Sequence, residues 1–206
     1  YGEKVEDDLI SHTFLNYMET KDETWPLLFP MCKSAIQAMN AVQEFTKKEL
    51  KLDIQSFVTT GASKRGWTTW LTGASGDKRV IAIAPMVIDT LNMKKQMDYQ
   101  LTSWGSYSEQ IDDYTRKGIQ QKMDTPVGKD LWKMVDPFTY RQNITMPKLL
   151  VMGTNDPYWP VDAVKNYFDE LTGTKSISYT HNAGHDLDGG EKAVRTLGAF
   201  FDYCAE

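Results

Sequence analysis

The sequence predicts an α/β fold in which a mostly parallel sheet is flanked by helices, and three observations lead to this. Short β-prone runs of strand length alternate with segments whose apolar residues recur at the spacing of a helix face. That alternation favours a parallel sheet, since a helix is the usual crossover between two parallel strands. In addition, Ser63 lies between two glycines where one strand passes into a helix.

Two amphipathic helices and one short strand are predicted before this turn. The helices cover 7–18 and 31–49, and the short strand lies near 27–29. We expect the second helix to bury one apolar face, made of Cys32, Ala35, Ile36, Met39, Val42 and Phe45. A strand at 54–59 then leads into the turn. The helix after the turn has its own apolar face, made of Trp67, Trp70, Leu71 and Ala74.

The turn has the sequence Gly61-Ala62-Ser63-Lys64-Arg65-Gly66, which is similar to a nucleophile elbow. It departs from the usual G-x-S-x-G form because Arg65 stands at the position of the second glycine. Such a turn exposes the serine oxygen at a helix N-terminus, whose N–H groups favour negative charge. An incidental serine on a strand–turn–helix remains the alternative. Ser75 follows the same Thr-Gly-Ala residues as Ser63, but it ends a predicted helix, so we interpret it as a turn residue.

Three further strands are predicted, at 80–84, 148–153 and 176–180. The loop after the second contains Asp156, and the loop after the third contains His185. A helix is predicted between these two strands, from Pro160 to Gly173. A last helix carries one apolar face, made of Ala193, Val194, Leu197, Phe200 and Phe201. This order predicts the C-terminal part of an α/β-hydrolase fold, with 1–206 as a single catalytic portion.

Ser63, Asp156 and His185 are the candidate catalytic triad, because they occur in the chain order of that fold. A serine needs a neighbouring base and an acid that orients the base before it can act as a nucleophile. His12 lies on the first predicted helix, and we interpret it as a surface or packing residue. His181 ends the last strand and is interpreted as structural.

Several aspartates compete with Asp156 for the role of the orienting acid. Asp162 falls in the first turn of a predicted helix, where the helix dipole explains it. Asp186 and Asp188 follow His185 and are explained as residues that cap or stabilise its loop. Asp89 follows a predicted strand and is a candidate second acidic group near the site. Asp156 lies in the loop after a predicted strand, and it stands between Ser63 and His185 in the chain order of this fold.

The proposed chemistry is nucleophilic attack by Ser63 on a carbonyl, with His185 as the base and Asp156 holding its tautomer. The backbone N–H of Lys64 is the expected oxyanion donor. The ammonium of Lys64 either adds positive charge to the site or is a solvated surface group. A second oxyanion donor normally comes from the loop after an early strand, and no such strand is predicted here.

An insertion of about 92–136 separates two of the predicted strands and is too long for a plain connection. It is rich in Met, Tyr and Gln, and helices are predicted around 94–102 and 108–123. Such an insertion serves either as a lid that shapes the substrate pocket or as a helical decoration that only packs. The residue types fit both interpretations.

The composition argues against two kinds of partner. The net charge of −5 disfavours nucleic acid and an anionic membrane. No apolar run approaches the roughly 20 residues of a membrane span, so membrane insertion is not expected. No cofactor and no metal are expected, because the candidate triad needs neither. The expected partners are a small-molecule or peptide substrate.

The chain does not begin with Met and shows no signal peptide, so we expect an internal or processed piece of a longer protein. A hydrolase sheet needs early strands before Ser63, and we expect them in a missing N-terminal part that partners this chain. Asn143-Ile144-Thr145 is a glycosylation sequon, which makes Asn143 a candidate site if the protein is secreted.

Several segments together resemble the PhoPQ-activated pathogenicity-related family. They are 6–8, 25–31, 60–71 around Ser63, 84–92 around Asp89, 153–159 around Asp156, and 182–185. The resemblance covers nearly the whole chain and extends to a branch of secreted autocrine proliferation repressors. It implies an α/β-hydrolase fold, secretion, and the three triad positions named above. The turn is also similar to the G-x-S-R-x-G turn of glucuronoyl esterases, with Lys64 in place of their arginine.

Two functions therefore stay open. The first is a secreted serine hydrolase, either a peptidase or an esterase, that uses the triad. The second is a secreted signalling protein that slows proliferation through a cell-surface receptor and uses the fold as a binding scaffold. The triad favours the first, since a scaffold has no need of those three side chains, while the family resemblance favours the second as a biological role.

Overall fold

A parallel sheet of four strands forms the centre of the computed structural model, which describes residues 2–206. The strands are β1 (Phe57–Ala62), β2 (Val80–Met86), β3 (Lys148–Gly153) and β4 (Lys175–Thr180), and they lie side by side in that order. All three pairings are parallel, so the four carboxyl ends meet at one edge of the sheet. In parallel sheets of this kind, ligands bind at that edge.

Seven α-helices accompany the sheet among the described residues. They are α1 (Glu6–Thr20), α2 (Leu28–Phe45), α3 (Lys64–Ala74), α4 (Met93–Trp104), α5 (Asp112–Thr115), α6 (Pro126–Val135) and α7 (Glu191–Ala205). A short π-helical segment, Thr46–Leu50, extends α2. The four strands predicted around Ser63, Asp156 and His185 are confirmed, with ends shifted by up to a few residues. None of the described helices is both long enough and apolar enough to cross a membrane.

Burial is greatest in the middle of the sheet. All six residues of β3 are buried, whereas β1 and β4 are only partly buried. Parallel strands need cover on both faces, and the inner strands obtain it from the flanking helices. Helix α3 is buried throughout 66–73 because it packs between the sheet and the N-terminal helices. The elbow thus lies between a partly buried edge strand and a helix that is buried along most of its length.

Two predicted elements are wrong. The strand near 27–29 is instead the start of α2, because Pro30 falls in its first turn, where a helix tolerates proline. The helix expected from Pro160 is replaced by two short 3-10 segments, Ala163–Asn166 and Phe168–Glu170. Tertiary contacts interrupt it, since the Asn166 side chain donates a hydrogen bond to Gln96 Oε1 at 2.8 Å.

The predicted buried face of α2 is only partly buried. Met39 lies in the core, but the side chains of Val42 and Phe45 are exposed at 43% and 58%. The residues described pack against other side chains of that end, such as Gln43, and leave these two exposed. A similar difference occurs on α7, where Leu197 is buried and Val194 is exposed.

The insertion at 92–136 is helical, as predicted, but more broken. The helix expected at 94–102 corresponds to α4. The stretch at 108–123 is not one helix; it consists of short pieces interrupted at Gly118, whose φ of 71° does not fit a right-handed helix. Helix α6, which was not predicted, begins at Thr125, whose hydroxyl accepts a hydrogen bond from the Gly128 N–H.

Candidate active site

Ser63 occupies a strained turn between β1 and α3. Its φ of 57° and ψ of −127° are values that residues other than glycine rarely adopt. The Ser63 N–H donates a hydrogen bond to the Met86 carbonyl at 2.9 Å, which ties the turn to β2. A Cβ at Gly66 would lie 2.6 Å from Ile88 Cγ2, so only glycine lets the helix approach the strand this closely. The local geometry is that of a nucleophile elbow.

Asp156 and His185 are brought together by the loops after β3 and β4. His185 Nδ1 and Asp156 Oδ2 lie 2.9 Å apart, and Asp156 Oδ1 accepts a hydrogen bond from the Tyr158 N–H at 2.9 Å. The Asp156 side chain is 8% exposed. The two loops are joined by the backbone, since the Asn155 N–H donates to the Ala183 carbonyl at 2.9 Å. Both carboxylate oxygens of Asp156 are therefore held in place.

The second ring nitrogen of His185 is unused. Nε2 is buried and has no hydrogen-bond partner among residues 2–206, so it makes no hydrogen bond to Ser63. The ring of Tyr158 lies against the imidazole, with centroids 4.1 Å apart. Tyr158 also lines the cavity that Ser63 borders. The structure thus pairs His185 with Asp156 and places Ser63 at the end of β1, bordering a cavity that Tyr158 also lines.

The backbone N–H and the side-chain ammonium of Lys64 have different partners. As the first residue of α3, its backbone N–H has no acceptor inside the helix and remains available to a ligand. Its ammonium is neither solvated nor free, because it pairs with Glu6 Oε2 at 2.9 Å and Asp7 Oδ2 at 3.2 Å. Burial lowers the pKa of Lys64, but these two carboxylates outweigh burial and raise it overall. The ammonium therefore holds α1 against the elbow.

Helix α1 also contacts the insertion. Tyr114 donates a hydrogen bond to Asp7 Oδ1 at 2.9 Å, and Asp7 lines the cavity beside Ser63. The first turn of α1 thus joins the elbow to the insertion. No sequence signal pointed to Asp7 as a site residue, because three acidic residues at a helix N-terminus are explained by the helix dipole alone.

Asp89 is close to the site but has another partner. It is buried, and Tyr167 donates a hydrogen bond to its Oδ1 at 2.5 Å. Burial raises the pKa of Asp89 to about 7 against the effect of the Tyr167 hydrogen bond, and the charge of Asp156 adds to the rise. Asp89 and Asp156 line the same small cavity. Asp89 is a second acidic group near the site, but it is not bonded to His185.

A larger cavity, partly open to solvent, lies beside Ser63. Its walls are mostly apolar or aromatic and come from α3, from the loops after β2 and β3, and from the insertion. The insertion contributes Met93, Met97, Ile111, Tyr114, Gln120 and Trp132. Trp159, three residues after Asp156, forms another wall. Sequence reasoning expected a pocket under the insertion but did not identify these residues, since their helical spacing equally fits a packed core.

The other candidate residues lie outside this arrangement. Asp162 is on the surface, where its carboxylate binds Tyr99 Oη at 2.6 Å and Lys165 Nζ at 2.8 Å. Asp186 accepts a hydrogen bond from the Asp188 N–H, as expected of a residue that stabilises the loop. His12 lies on α1 beside Asn16, and His181 is exposed just after β4. Asn143 is exposed at the end of a 3-10 segment, Pro137–Asn143. Within residues 2–206 no cluster of three or more His, Cys, Asp and Glu residues could hold a metal.

Comparison with solved structures assigns the fold. Acetyl xylan esterase 1 from Thermoanaerobacterium sp. JW/SL YS485 superposes with a TM-score of 0.58 and 13% identity, covering 90% of this chain and 54% of the esterase. Uncomplexed acylaminoacyl peptidase from Pyrococcus horikoshii gives a TM-score of 0.56 and 18% identity over 80% of this chain and 26% of the peptidase. At these identities the likeness concerns the fold alone, which is that of the α/β-hydrolases.

Comparison of sequences is more specific. The model of the PhoPQ-activated pathogenicity-related protein family matches residues 1–206. Autocrine proliferation repressor protein A of Dictyostelium discoideum is 37% identical over 190 residues, which are 91% of this chain and 38% of that protein. The chain thus spans well under half the length of this relative. Because the match is continuous and includes the elbow and both loops of the site, the chain belongs to the PhoPQ-activated pathogenicity-related family.

Proposed function

We propose that this chain is the catalytic portion of a secreted serine hydrolase, a peptidase or an esterase, with Ser63, Asp156 and His185 as its triad. The observation that carries the proposal is the 2.9 Å bond between Asp156 and His185 Nδ1, while Nε2 has no hydrogen-bond partner in the described part of the chain. A histidine held in this way is suited to remove a proton from a hydroxyl. The strained turn at Ser63 supports the proposal, because strain of this kind is concentrated at functional sites.

The reaction begins when Ser63 rotates its hydroxyl to His185 Nε2, which removes the proton as Oγ bonds to the substrate carbonyl carbon. The carbonyl electron pair moves onto oxygen, and the tetrahedral intermediate then expels the alcohol or amine, which takes the proton from His185. Water then attacks the acyl-serine in the same way, and His185 takes its proton. His185 returns this proton to Ser63 as the carboxylic acid leaves. Asp156 keeps the imidazole in one tautomer throughout.

The backbone N–H of Lys64 supplies one hydrogen bond to the developing oxyanion, reinforced by the N-terminus of α3. We assign the second donor to an N-terminal part of the same protein that also pairs with the open edge of β1. The insertion at 92–136 acts as the lid, since it supplies much of the cavity beside Ser63. No cofactor is needed for this chemistry.

The test is labelling of the purified full-length protein with a fluorophosphonate probe, which reacts with activated serines. We expect wild type to be labelled, and the variants Ser63→Ala and His185→Ala to lose labelling. Ser75→Ala is the matched control, because Ser75 follows the same Gly-Ala pair but donates its hydroxyl to the Thr72 carbonyl at 2.7 Å. It should label like wild type. A folded wild-type protein that stays unlabelled contradicts the proposal.

A second function is favoured by one observation, the 37% identity to a protein named autocrine proliferation repressor. In this alternative the secreted protein, glycosylated at Asn143, slows proliferation by binding a cell-surface receptor, and catalysis is not required. Its net charge of −5 gives no support to nucleic acid or an anionic membrane as partners. Adding wild-type and Ser63→Ala protein to growing cells separates the two roles. Equal repression by both proteins favours the receptor, whereas loss of repression with Ser63→Ala favours catalysis.

A further inference from the structure

Tyr158 contacts both residues of the candidate histidine–aspartate pair. Its N–H donates a hydrogen bond to Asp156 Oδ1 at 2.9 Å. Its ring lies against the His185 imidazole, with centroids 4.1 Å apart and planes inclined by 31°. Tyr158 also lines the cavity that Ser63 borders. It therefore contacts two members of the proposed triad and shares a cavity with the third.

Asp156 and Tyr158 restrict the imidazole of His185 in different ways. Asp156 Oδ2 lies 2.9 Å from Nδ1 and restrains that one atom of the ring. The Tyr158 ring packs against a face of the imidazole and so restrains its plane. Because Nε2 lies in that plane, restraining the plane also fixes the direction from which Nε2 can take a proton.

The backbone that carries Tyr158 is held in turn by the insertion. Gln100 Nε2 donates a hydrogen bond to the Tyr158 carbonyl at 2.9 Å, and the Ser108 hydroxyl donates to the Pro157 carbonyl at 2.7 Å. The Ser108 N–H donates to Gln100 Oε1 at 2.9 Å, which joins these two side chains. Gln100 and Ser108 are both buried. Breaking such buried hydrogen bonds leaves unsatisfied polar groups, so the position of Tyr158 is well determined.

The ring of Tyr158 also suits the charge that His185 gains in the proposed reaction. The imidazole becomes positively charged when it takes the proton of Ser63. The face of an aromatic ring is electron-rich and attracts a cation within about 6 Å of its centroid. This attraction arises only as the proton moves, so it favours the transition state over the resting enzyme.

We propose that Tyr158 is a positioning residue of the active site, which holds the plane of the His185 imidazole and stabilises the positive charge that this ring gains during the reaction. This inference rests on the proposed function, because it assigns a role in the same reaction. The insertion then has a role besides that of a lid, since Gln100 and Ser108 hold the backbone that presents Tyr158.

The test measures the second-order rate constant of fluorophosphonate labelling in variants of the full-length protein. Tyr158→Leu keeps an apolar side chain but removes the ring, and it should slow labelling by about tenfold, as expected for a cation that loses the face of an aromatic ring. Tyr158→Phe keeps that face and should stay within about threefold of wild type. Tyr99→Leu is the matched control, because the Tyr99 ring also faces a cation at 4.1 Å, the exposed Lys165, but does not line the cavity beside Ser63. It should label like wild type.

A second series of variants separates the effect of charge from that of packing. Phenylalanines with increasing numbers of ring fluorine atoms, incorporated at position 158, keep nearly the same shape but withdraw electron density from the ring face. We expect the labelling rate to fall stepwise from the value of Tyr158→Phe toward that of Tyr158→Leu. A flat series would make Tyr158 a packing residue and overturn the inference. If Tyr158→Leu does not fold, the fluorinated series alone decides.

The failure of this inference can be told from failure of the proposed function. A labelled wild-type protein whose rate is unchanged in Tyr158→Leu, or falls equally in Tyr158→Leu and Tyr158→Phe, refutes the inference alone. A folded wild-type protein that stays unlabelled refutes the proposed function, and the role of Tyr158 in that reaction with it.

Discussion

The loops after β2 and β3 are alike in position and different in partner. Each carries an aspartate three residues beyond the last residue of its strand, Asp89 after Met86 and Asp156 after Gly153. Asp156 is bonded to His185, while Asp89 is bonded to the Tyr167 hydroxyl. The two carboxyl groups line one small cavity, so burial near the site does not by itself distinguish them.

The difference comes from strand order. The His185 loop follows β4, which pairs with β3 and not with β2. Asp156 is therefore one strand away from the histidine, and Asp89 is two. Equivalent positions at two strand ends have different roles because Asp156 meets the loop after β4, whereas Asp89 meets Tyr167, which lies between two 3-10 segments.

The largest expected difference concerns activity. Asp156→Asn should lower the rate of fluorophosphonate labelling by about a thousandfold or more, because an amide favours the wrong histidine tautomer. Asp89→Asn should change that rate by less than about tenfold, since Asp89 does not touch His185. Both variants of the full-length protein are compared with wild type at pH 7.5. A greater loss with Asp89→Asn would mean that Asp89 is the orienting acid.

The next effect concerns the spacing between the Asp156 and His185 loops. A Cβ at Gly153 would lie 2.4 Å from the Gly184 carbonyl oxygen and 2.5 Å from that of Ala183. Gly153→Ala should therefore force the loops apart, lower the free energy of unfolding by about 1–3 kcal/mol and reduce labelling.

Gly198→Ala is its control, because a Cβ there meets nothing within 4 Å on helix α7. It should stabilise the protein slightly, since alanine is the better helix residue. Urea denaturation of the full-length variants measures both changes. Equal stability of the two variants would show that the loops adapt to a methyl group at Gly153.

A third expected effect is on the pH dependence of stability. Burial raises the pKa of Asp89 to about 7 from an ordinary value of 3.8, so the folded protein binds a proton that the unfolded chain has released. Stability should therefore fall as pH rises from about 4 to about 7, by at most about 1.4 kcal/mol per pH unit for this one proton.

Asp89→Asn removes that proton and should flatten the dependence over this range. The measurement is the midpoint of urea denaturation between pH 4 and pH 7.5 for wild type and the variant. Unchanged slopes in the two proteins would mean that Asp89 titrates normally in the folded state.

Sequence reasoning succeeded where a short segment specifies its own structure. The strand before Ser63, the turn and the helix after it are encoded by β-prone residues, glycines and helical spacing within about 20 positions. The strands that lead to Asp156 and His185 were found for the same reason. The family was also recognisable, because the resemblance lies in short segments distributed over the whole chain.

Sequence reasoning failed where the structure of a segment depends on residues that are distant in the sequence. The apolar spacing of α2 predicted burial of Val42 and Phe45, yet both are exposed because no described element packs over these two side chains. The helix expected after Pro160 is broken by contacts with Asn92 and Gln96, which lie about 70 positions earlier. Periodicity reports which face of a helix is apolar, not whether anything packs against it.

The order of residues along the chain therefore specified the strand–turn–helix at Ser63, the Ser-Asp-His order and the strands that present them. Packing decided which aspartate meets His185 and that the Lys64 ammonium is held by Glu6 and Asp7. The physical reason is the distance along the chain over which each kind of interaction acts. Backbone preferences and side-chain periodicity act over a few residues, whereas a hydrogen bond or an ion pair between strands exists only once the sheet has assembled.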